Sequence, residues 1–387
     1  MNLTRPAWLE INLDYLIENI NKIRNNVRED AEIISVVKSN AYGFGALKIV
    51  EILRENGINF FAVATMSEAI AIRKKFKDVK LLILGYTPDY LMNVAVENNI
   101  TLAIYNYESA RTLNEIAKSQ NKTATIHIAL DTGMNRIGFK NIDDSIEDIK
   151  KISKFKNIYI EGVFSHFAAA DTNAEYTKRQ FNIFKNVTDI LEKNKINIPI
   201  KHINNSSAIL NYNEYSLDAV RPGIIQYGST EGIKTKYKEL NNVKYIGQIK
   251  AQVSNVKIVS KGEKVSYGLT YETSTETKIA TIPLGYSDGI LRQLSGKIDV
   301  LVSGKRCRQI GRICMDQMMV DVSGVDCNIG DEVVILGSQG NEYIDILEIA
   351  RKVDEIATSY SCHFSPRLPK VYIKDGKIDE IVDELIK

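Results

Sequence analysis

Eight short apolar, β-branched runs recur through the first 225 residues, and this repetition restricts the fold more than any other feature of the chain. They are EIISVVK (32–38), NFFAVAT (59–65), VKLLILG (79–85), TLAIYN (101–106), ATIHIAL (124–130), YIEGVFS (159–165), IKHINN (200–205) and DAVRPG (218–223). Between most of them lie stretches of helical periodicity, such as ALKIVEILREN, SEAIAIRKKF, YESARTLNEIAK and RQFNIFKNVTDILEK. Strand and helix in alternation mean βαβ units and a parallel sheet. Eight units fit a closed, TIM-like (β/α)8 barrel better than an open sheet. The doubly wound alternative is weakened further because no GxGxxG turn follows the first run.

Near residue 243 the pattern changes to strands joined by turns, as in YIGQIKAQVSNVKIVS, KIATIPLGYSDG and DEVVILGS, with one helix-like stretch, IDILEIARKVDEIA. The expectation is therefore an α/β protein of two parts, a barrel over 1–242 and a mainly β domain over 243–387. A net charge of +2, with 25% charged residues of both signs interleaved, gives no electrostatic case for nucleic acid or a membrane surface. No apolar run approaches the ~18 residues that span a bilayer, and the N-terminus lacks the pattern of a signal peptide. Cys307, Cys314, Cys327 and Cys362 form no CxxC pair and read as reduced thiols, so cytoplasm is the default. His127, His166, His202 and His363 are too scattered for a zinc signature, and no metal is expected.

Active sites of such barrels form where the strands end. Here the first strand ends at Lys38 with Tyr42 just beyond, the third at Leu84–Gly85, the fifth at Asp131 and the sixth at Ser165–His166. The seventh ends at Asn205–Ser206, and the eighth carries Arg221 before Gly223 and Ile224. Taken singly, each has an ordinary structural reading: a surface charge, a hydrogen-bonded histidine, a loop tether, turn material. Their coincidence at one barrel end is what points to function. A lysine in a water-poor pocket can lose its proton and attack a carbonyl carbon. With backbone N–H groups and hydroxyls for a phosphate, that describes a pyridoxal-phosphate site.

The stretch VVKSNAYGFG resembles the pyridoxal-phosphate attachment motif of the alanine racemase family, and the likeness continues in order through PAWLEINLDYL, DTGMNRIGF, SHFAAAD, HINNSSAIL, VRPGIIQYG, VSYGLTY, PLGYSDG and GRICMDQ. The resemblance implies a barrel plus a C-terminal β domain, and a head-to-tail homodimer whose active sites are each completed by the other copy. It further implies that Lys38 carries the cofactor and is the base on one face of the substrate's α-carbon, with Tyr267 of the other copy acting on the opposite face. A free tyrosine, with a pKa near ~10, is a poor base at neutral pH. His166, with Arg221 beyond it, would favour the phenolate. Arg221, backed by His202, would face the pyridine nitrogen and leave it unprotonated. Tyr42, Ser206, Gly223 and Ile224 would hold the phosphate, with Leu84, Asn205 and Tyr360 also about the cofactor. Arg136 would bind the substrate carboxylate, joined by the backbone N–H of Met315 from the other copy, while Tyr286 and Asp316, with Arg292, Arg312 and Asp171, would line the entrance.

Three positions depart from the family pattern. Ala129 stands where members typically carry a carbamylated lysine that positions the substrate-binding arginine, so a chloride ion near Ala129 and Arg136 is expected to fill the gap. Phe44 replaces the histidine of YGHG, which reads as a packing change. Near the end, IATSYSCHFSPRLPK puts Thr358 at the family's pocket tyrosine if aligned without a gap, or Tyr360 there with a two-residue deletion. The implied function is a racemase interconverting L- and D-alanine, and serine or a broader range of small amino acids is the alternative within the family. A pyridoxal-phosphate carrier with little catalysis is the alternative outside it, opposed by the intact second domain. Related barrel decarboxylases would place an acidic residue at the pyridine nitrogen, and Arg221 opposes them. Supply of D-alanine for peptidoglycan would be the role in a bacterium.

Overall fold

The computed structural model describes residues 3–140 and 142–386 and divides into two compact units. One comprises Ile17–Ala41 and Gly45–Lys244. The other takes the chain up to Leu16, Tyr42–Phe44, and everything from Tyr245 onward.

In the first unit the eight runs form a closed parallel barrel of β2 (Glu32–Val36), β3 (Phe60–Val63), β4 (Lys80–Ile83), β5 (Thr101–Ile104), β6 (Ala124–Ala129), β7 (Ile158–Phe164), β8 (Ile200–His202) and β9 (Ala219–Val220). Closure is made by β2 pairing with β9, Ile33 opposite Val220. Parallel strands covered by helices are buried on both faces, and FFAV of β3 and TLAI of β5 are buried at every position. Several helices start on a side-chain cap. Thr65 makes a capping box with Glu68, and Asn106, Asn173 and Asn205 each accept a backbone N–H of the first turn.

The second unit holds a large, mostly antiparallel sheet. It contains β1 (Ala7–Asn12), third from one end of the strand order, which the sequence alone places with the barrel segment 1–242. β1 instead lies between Gly247–Gln252, antiparallel with Ala7 opposite Ala251, and Lys370–Lys374, parallel with Leu9 opposite Lys370. The reason is topological, since a barrel closed by β2 and β9 has no edge to offer another strand.

Phe44, the departure from the family motif, is fully buried in this second unit. Its ring meets Tyr245 and Phe364 edge-on, with centroids 5.8 and 5.9 Å away, and its carbonyl accepts from the Tyr372 hydroxyl at 2.9 Å. Gly247 leaves the space, because a Cβ there would lie 2.6 Å from Phe44 Cε1. Phe44→Ala should therefore cost about 3–5 kcal/mol of stability, read as a lowered denaturation midpoint in urea. A midpoint within error of the parent would show that the ring is not a packing element.

Candidate active site

The strand β2 runs into a backbone conformation rarely used by side-chain-bearing residues. Ser39, Asn40, Ala41 and Tyr42 all have φ between 53° and 56°, one turn of left-handed helix directly after Lys38. Each such residue costs roughly 1–2 kcal/mol. Three hydrogen bonds hold the turn. Ser39 N–H donates to Glu68 Oε1 at 2.6 Å, Ala41 N–H to the Val37 carbonyl at 2.9 Å, and Ala46 N–H to Asn40 Oδ1 at 2.8 Å. The turn carries the half-buried Lys38 past the strand end.

Arg221, just after β9, is buried, and no carboxylate pairs with it among the described residues. Its Nη1 donates to His202 Nδ1 at 2.6 Å, and its Nη2 donates to the Ser165 and Ile203 carbonyls at 2.7 and 3.2 Å. The guanidinium also lies 5.4 Å from the centre of the Phe164 ring, which is itself stacked on His202. Burial, reinforced by the positive charge of Arg136, pushes the pKa of Arg221 down to about 9.

His166 follows β7, with Nδ1 3.3 Å from Arg221 Nη2 and Nε2 3.3 Å from Asn205 Nδ2. A neutral imidazole accepts at only one nitrogen, so one of these approaches is not a hydrogen bond. Nη2 has two hydrogens, one for the Ser165 carbonyl and one shared between the Ile203 carbonyl and His166 Nδ1; this charged donor makes the stronger claim on Nδ1 and leaves the ring proton on Nε2. Burial, then the charges of Arg221, Arg136 and Lys38, hold the His166 pKa well below the ordinary value. Its carbonyl accepts from Gln180 Nε2 at 3.0 Å, which anchors the loop after β7.

Beyond β8, Asn205 caps the short helix Ser206–Asn211. Ser206 Oγ accepts from the Gly223 N–H at 2.9 Å and the Ile225 N–H at 3.4 Å, drawing the β8 and β9 loops together. Ile224 is buried beside them, and Leu84 is half-buried at the end of β4. Leu84 and Tyr105 pack against a cluster of Ala103, Ala129 and Phe164, so the side chain at position 129 is in apolar company. Arg136 projects from the loop after β6, which Asp131 folds by accepting the N–H groups of Gly133 and Asn135 at 3.0 and 2.9 Å. Arg136 is exposed, and no carboxylate pairs with it among the described residues.

The second unit gathers the other candidates on three linked loops. Ser266 Oγ donates to the Arg312 carbonyl at 2.7 Å, and the N–H groups of Tyr286 and Ser287 donate to the Cys314 and Met315 carbonyls at 3.0 and 3.1 Å. Tyr267 lines a cleft of about 540 Å³ with Val265, Leu269, Cys314 and Met319. It is 72% exposed, and Met315 is 51% exposed. Asp316 accepts from Arg367 at 2.7 Å. Near the C-terminus Thr358 is half-buried, whereas Tyr360 is wholly buried and its hydroxyl has no partner among the described residues. Tyr42 is buried at the end of the left-handed turn.

Sequence reasoning passed over two residues of the barrel interior. His127 of β6 accepts or donates at 2.8 Å to His202 Nε2, and Glu161 of β7 lies 3.2 Å from His127 Nε2. The signal was present, since a histidine in ATIHIAL and a Glu-Gly pair in YIEGVFS interrupt strands that are otherwise apolar.

Comparison with known proteins matches this arrangement over the whole chain. The profile of the alanine racemase N-terminal domain matches residues 11–231, and that of the C-terminal domain residues 246–372. The alanine racemase of Clostridium tetani is 44% identical over 379 residues, covering 97% of both chains. Among solved structures, alanine racemase from Clostridium difficile 630 superposes with a TM-score of 0.95 at 37% identity, covering 100% of both chains. That from Bacillus anthracis with bound L-Ala-P gives a TM-score of 0.93 at 33% identity, over 100% of this chain and 99% of the other. The chain belongs to the alanine racemase family.

Proposed function

We propose that the protein is an isomerase interconverting L- and D-alanine with pyridoxal phosphate, and that Lys38 and Tyr267 from a second copy are its two bases. The observation that carries this reading is the convergence of Lys38, His166 and Arg221 at the ends of β2, β7 and β9, around a guanidinium with no carboxylate partner among the described residues. The residues suit the cofactor. Lys38 offers the amine, Arg221 a donor for the pyridine nitrogen, and Ser206, Gly223 and Ile224 a small polar cradle. Tyr42 belongs with the phosphate too. Leu84 and Asn205 complete the surroundings.

When bound, pyridoxal phosphate withdraws electrons from the substrate and makes its α-proton removable. Everything else falls to the chain's own side chains. Racemisation needs a proton removed from one face of the α-carbon and returned on the other. Lys38 serves one face, and the exposed phenol of Tyr267, brought by a second copy, serves the other. His166 keeps its proton on Nε2 and can donate it to the Tyr267 oxygen, with the Arg221 charge directly behind. An exposed cluster of Tyr267, Leu269 and Met315 suits a surface covered by another copy, and so supports a homodimer. Arg136 takes the substrate carboxylate together with the backbone N–H of Met315 from the second copy. Tyr286 and Asp316 narrow the approach. A chloride near Ala129 would supply an anion for Arg136, which has no carboxylate partner among the described residues and which the aliphatic side chain at 129 cannot serve.

A second reading, with serine or larger side chains also accepted, is favoured by the half-buried Thr358 standing on the same short helix as the buried Tyr360. Racemisation of a panel of L-amino acids, with and without chloride, separates the two. Alanine far ahead of the rest means Tyr360 holds the pocket, whereas comparable rates with serine mean Thr358 has opened it.

Lys38→Ala should abolish the absorption band of covalently held cofactor and lower racemisation on the order of 10³-fold or more. A band resistant to this change would remove Lys38 from its role. Tyr267→Phe should slow α-proton exchange in D2O for one enantiomer by roughly 10²–10⁴-fold and spare the other. Unchanged exchange from both enantiomers would overturn the two-base assignment.

A further inference from the structure

The hydrogen bonds that begin at Arg221 do not stop at His202. His202 Nε2 is 2.8 Å from His127 Nδ1, and His127 Nε2 is 3.2 Å from Glu161 Oε2. Glu161 Oε1 in turn lies 3.2 Å from Lys80 Nζ. Both histidines are wholly buried. The chain thus passes through the barrel interior from the end of β9, by way of β8 and β6, to the middle of β7.

Its ends fix its direction. A guanidinium only donates and a carboxylate only accepts. Arg221 at one end requires a bare Nδ1 on His202 and therefore a proton on its Nε2. That proton goes to His127 Nδ1, which places the His127 proton on Nε2, aimed at Glu161. Each donor then meets an acceptor, and both rings stay neutral. Electrostatics agrees with this arrangement. Burial holds the pKa of His127 below its ordinary value despite Glu161, and burial with the Arg221 charge holds that of His202 well below. Burial raises the Glu161 carboxyl, but His127 and Lys80 outweigh it and leave the group below the usual carboxylate range. Glu32, the other acid near this end, is pushed up by burial and by Glu161 itself.

The backbone is shaped around the same contact. The register of β6 and β7 slips between Ile126 and His127, so that Ile126 faces Ile160 and His127 faces Gly162. The extra residue is Glu161. Bulges of this kind redirect a side chain. Gly162 makes the room, because a Cβ there would lie 2.5 Å from His127 Cε1 and Nδ1.

We propose that Glu161 is a positioning residue for Arg221, fixing through the tautomers of His127 and His202 the bare Nδ1 that accepts from the guanidinium. The proposal rests on the assignment of Arg221 to the cofactor's ring nitrogen. In that assignment a well-held, polarised Arg221 is what keeps the nitrogen supplied with a donor that does not give up its proton. Glu161 itself touches neither substrate nor cofactor.

The test uses protein with ¹⁵N-labelled histidine, before and after loading with pyridoxal phosphate, in which the four histidines are read by two-bond ¹H–¹⁵N spectra. Glu161→Leu removes the acceptor, and Glu161→Gln keeps a carbonyl oxygen for His127 without the charge. We expect His127 and His202 both protonated at Nε2 in the parent. In Glu161→Leu the Nδ1 resonance of His202, two hydrogen bonds from the change, should move. Racemisation kcat should fall about 10-fold, the low end for loss of an outer-shell partner, with KM within about twofold. Glu161→Gln, the variant expected to fold in any case, should recover the parent tautomers and most of kcat. An unmoved His202 resonance in Glu161→Leu, or parent tautomers other than Nε2–H, would overturn the proposal. A His202 shift with kcat unchanged would instead overturn the placing of Arg221 at the ring nitrogen.

Discussion

A guanidinium buried with no carboxylate beside it among the described residues sets the terms for the barrel mouth. Placing such a charge out of water is expensive unless every donor is used, and a partner of opposite charge is the common solution. Arg221 has carbonyls from β7 and β8 loops, two imidazoles and an aromatic face instead. A neighbouring carboxylate would neutralise the charge at short range and accept the strongest donor. Imidazoles and carbonyls satisfy the geometry while leaving the positive field largely intact. Burial is the first cause that depresses both His166 and His202, and that field adds to it, so the choice of partners for one arginine reinforces the neutrality of each ring.

Rigid strands and a strained turn divide the remaining work. The ends of β7, β8 and β9 are tied by Ser206 to the loop at Gly223 and by Gln180 to the loop at His166, so those side chains sit on a fixed frame. Lys38 is different, because its strand ends in four successive left-handed residues. Strain of this kind persists only where surrounding bonds outweigh it, and Glu68 contributes twice, as the capping partner of Thr65 and as the acceptor for Ser39. A helix cap and a lysine's approach are thereby joined through one carboxylate.

Much of this was legible from the sequence alone. Apolar runs at barrel spacing gave the eight strands, because parallel strands buried on both faces leave an unmistakable hydrophobic signature. Lys38, His166 and Arg221 stood out because they end such runs. Three things were not legible. The left-handed turn over SNAY contains no glycine, and one of the bonds that hold it goes to Glu68, distant in the chain. The pairing of β1 with strands hundreds of residues away depends on the barrel having closed without it. The link from His202 to Glu161 needs a slipped register between β6 and β7, which a one-residue bulge produces and no periodicity announces. Local pattern fixed what could be fixed locally, and long-range closure decided the rest.

The position of β1 carries a consequence in time. During synthesis, at roughly 5–20 residues per second, about 10–50 s separate the emergence of β1 from that of its first sheet neighbour, Gly247–Gln252. Lys370–Lys374, its neighbour on the other side, comes later still. Trp8, Leu9 and Ile11 end up buried, yet for that whole interval the ribosome holds them out with no strand to pair with. The barrel is complete in sequence by Val220, so the nascent chain carries an unmatched apolar strand at its head while everything needed to close the barrel has already appeared.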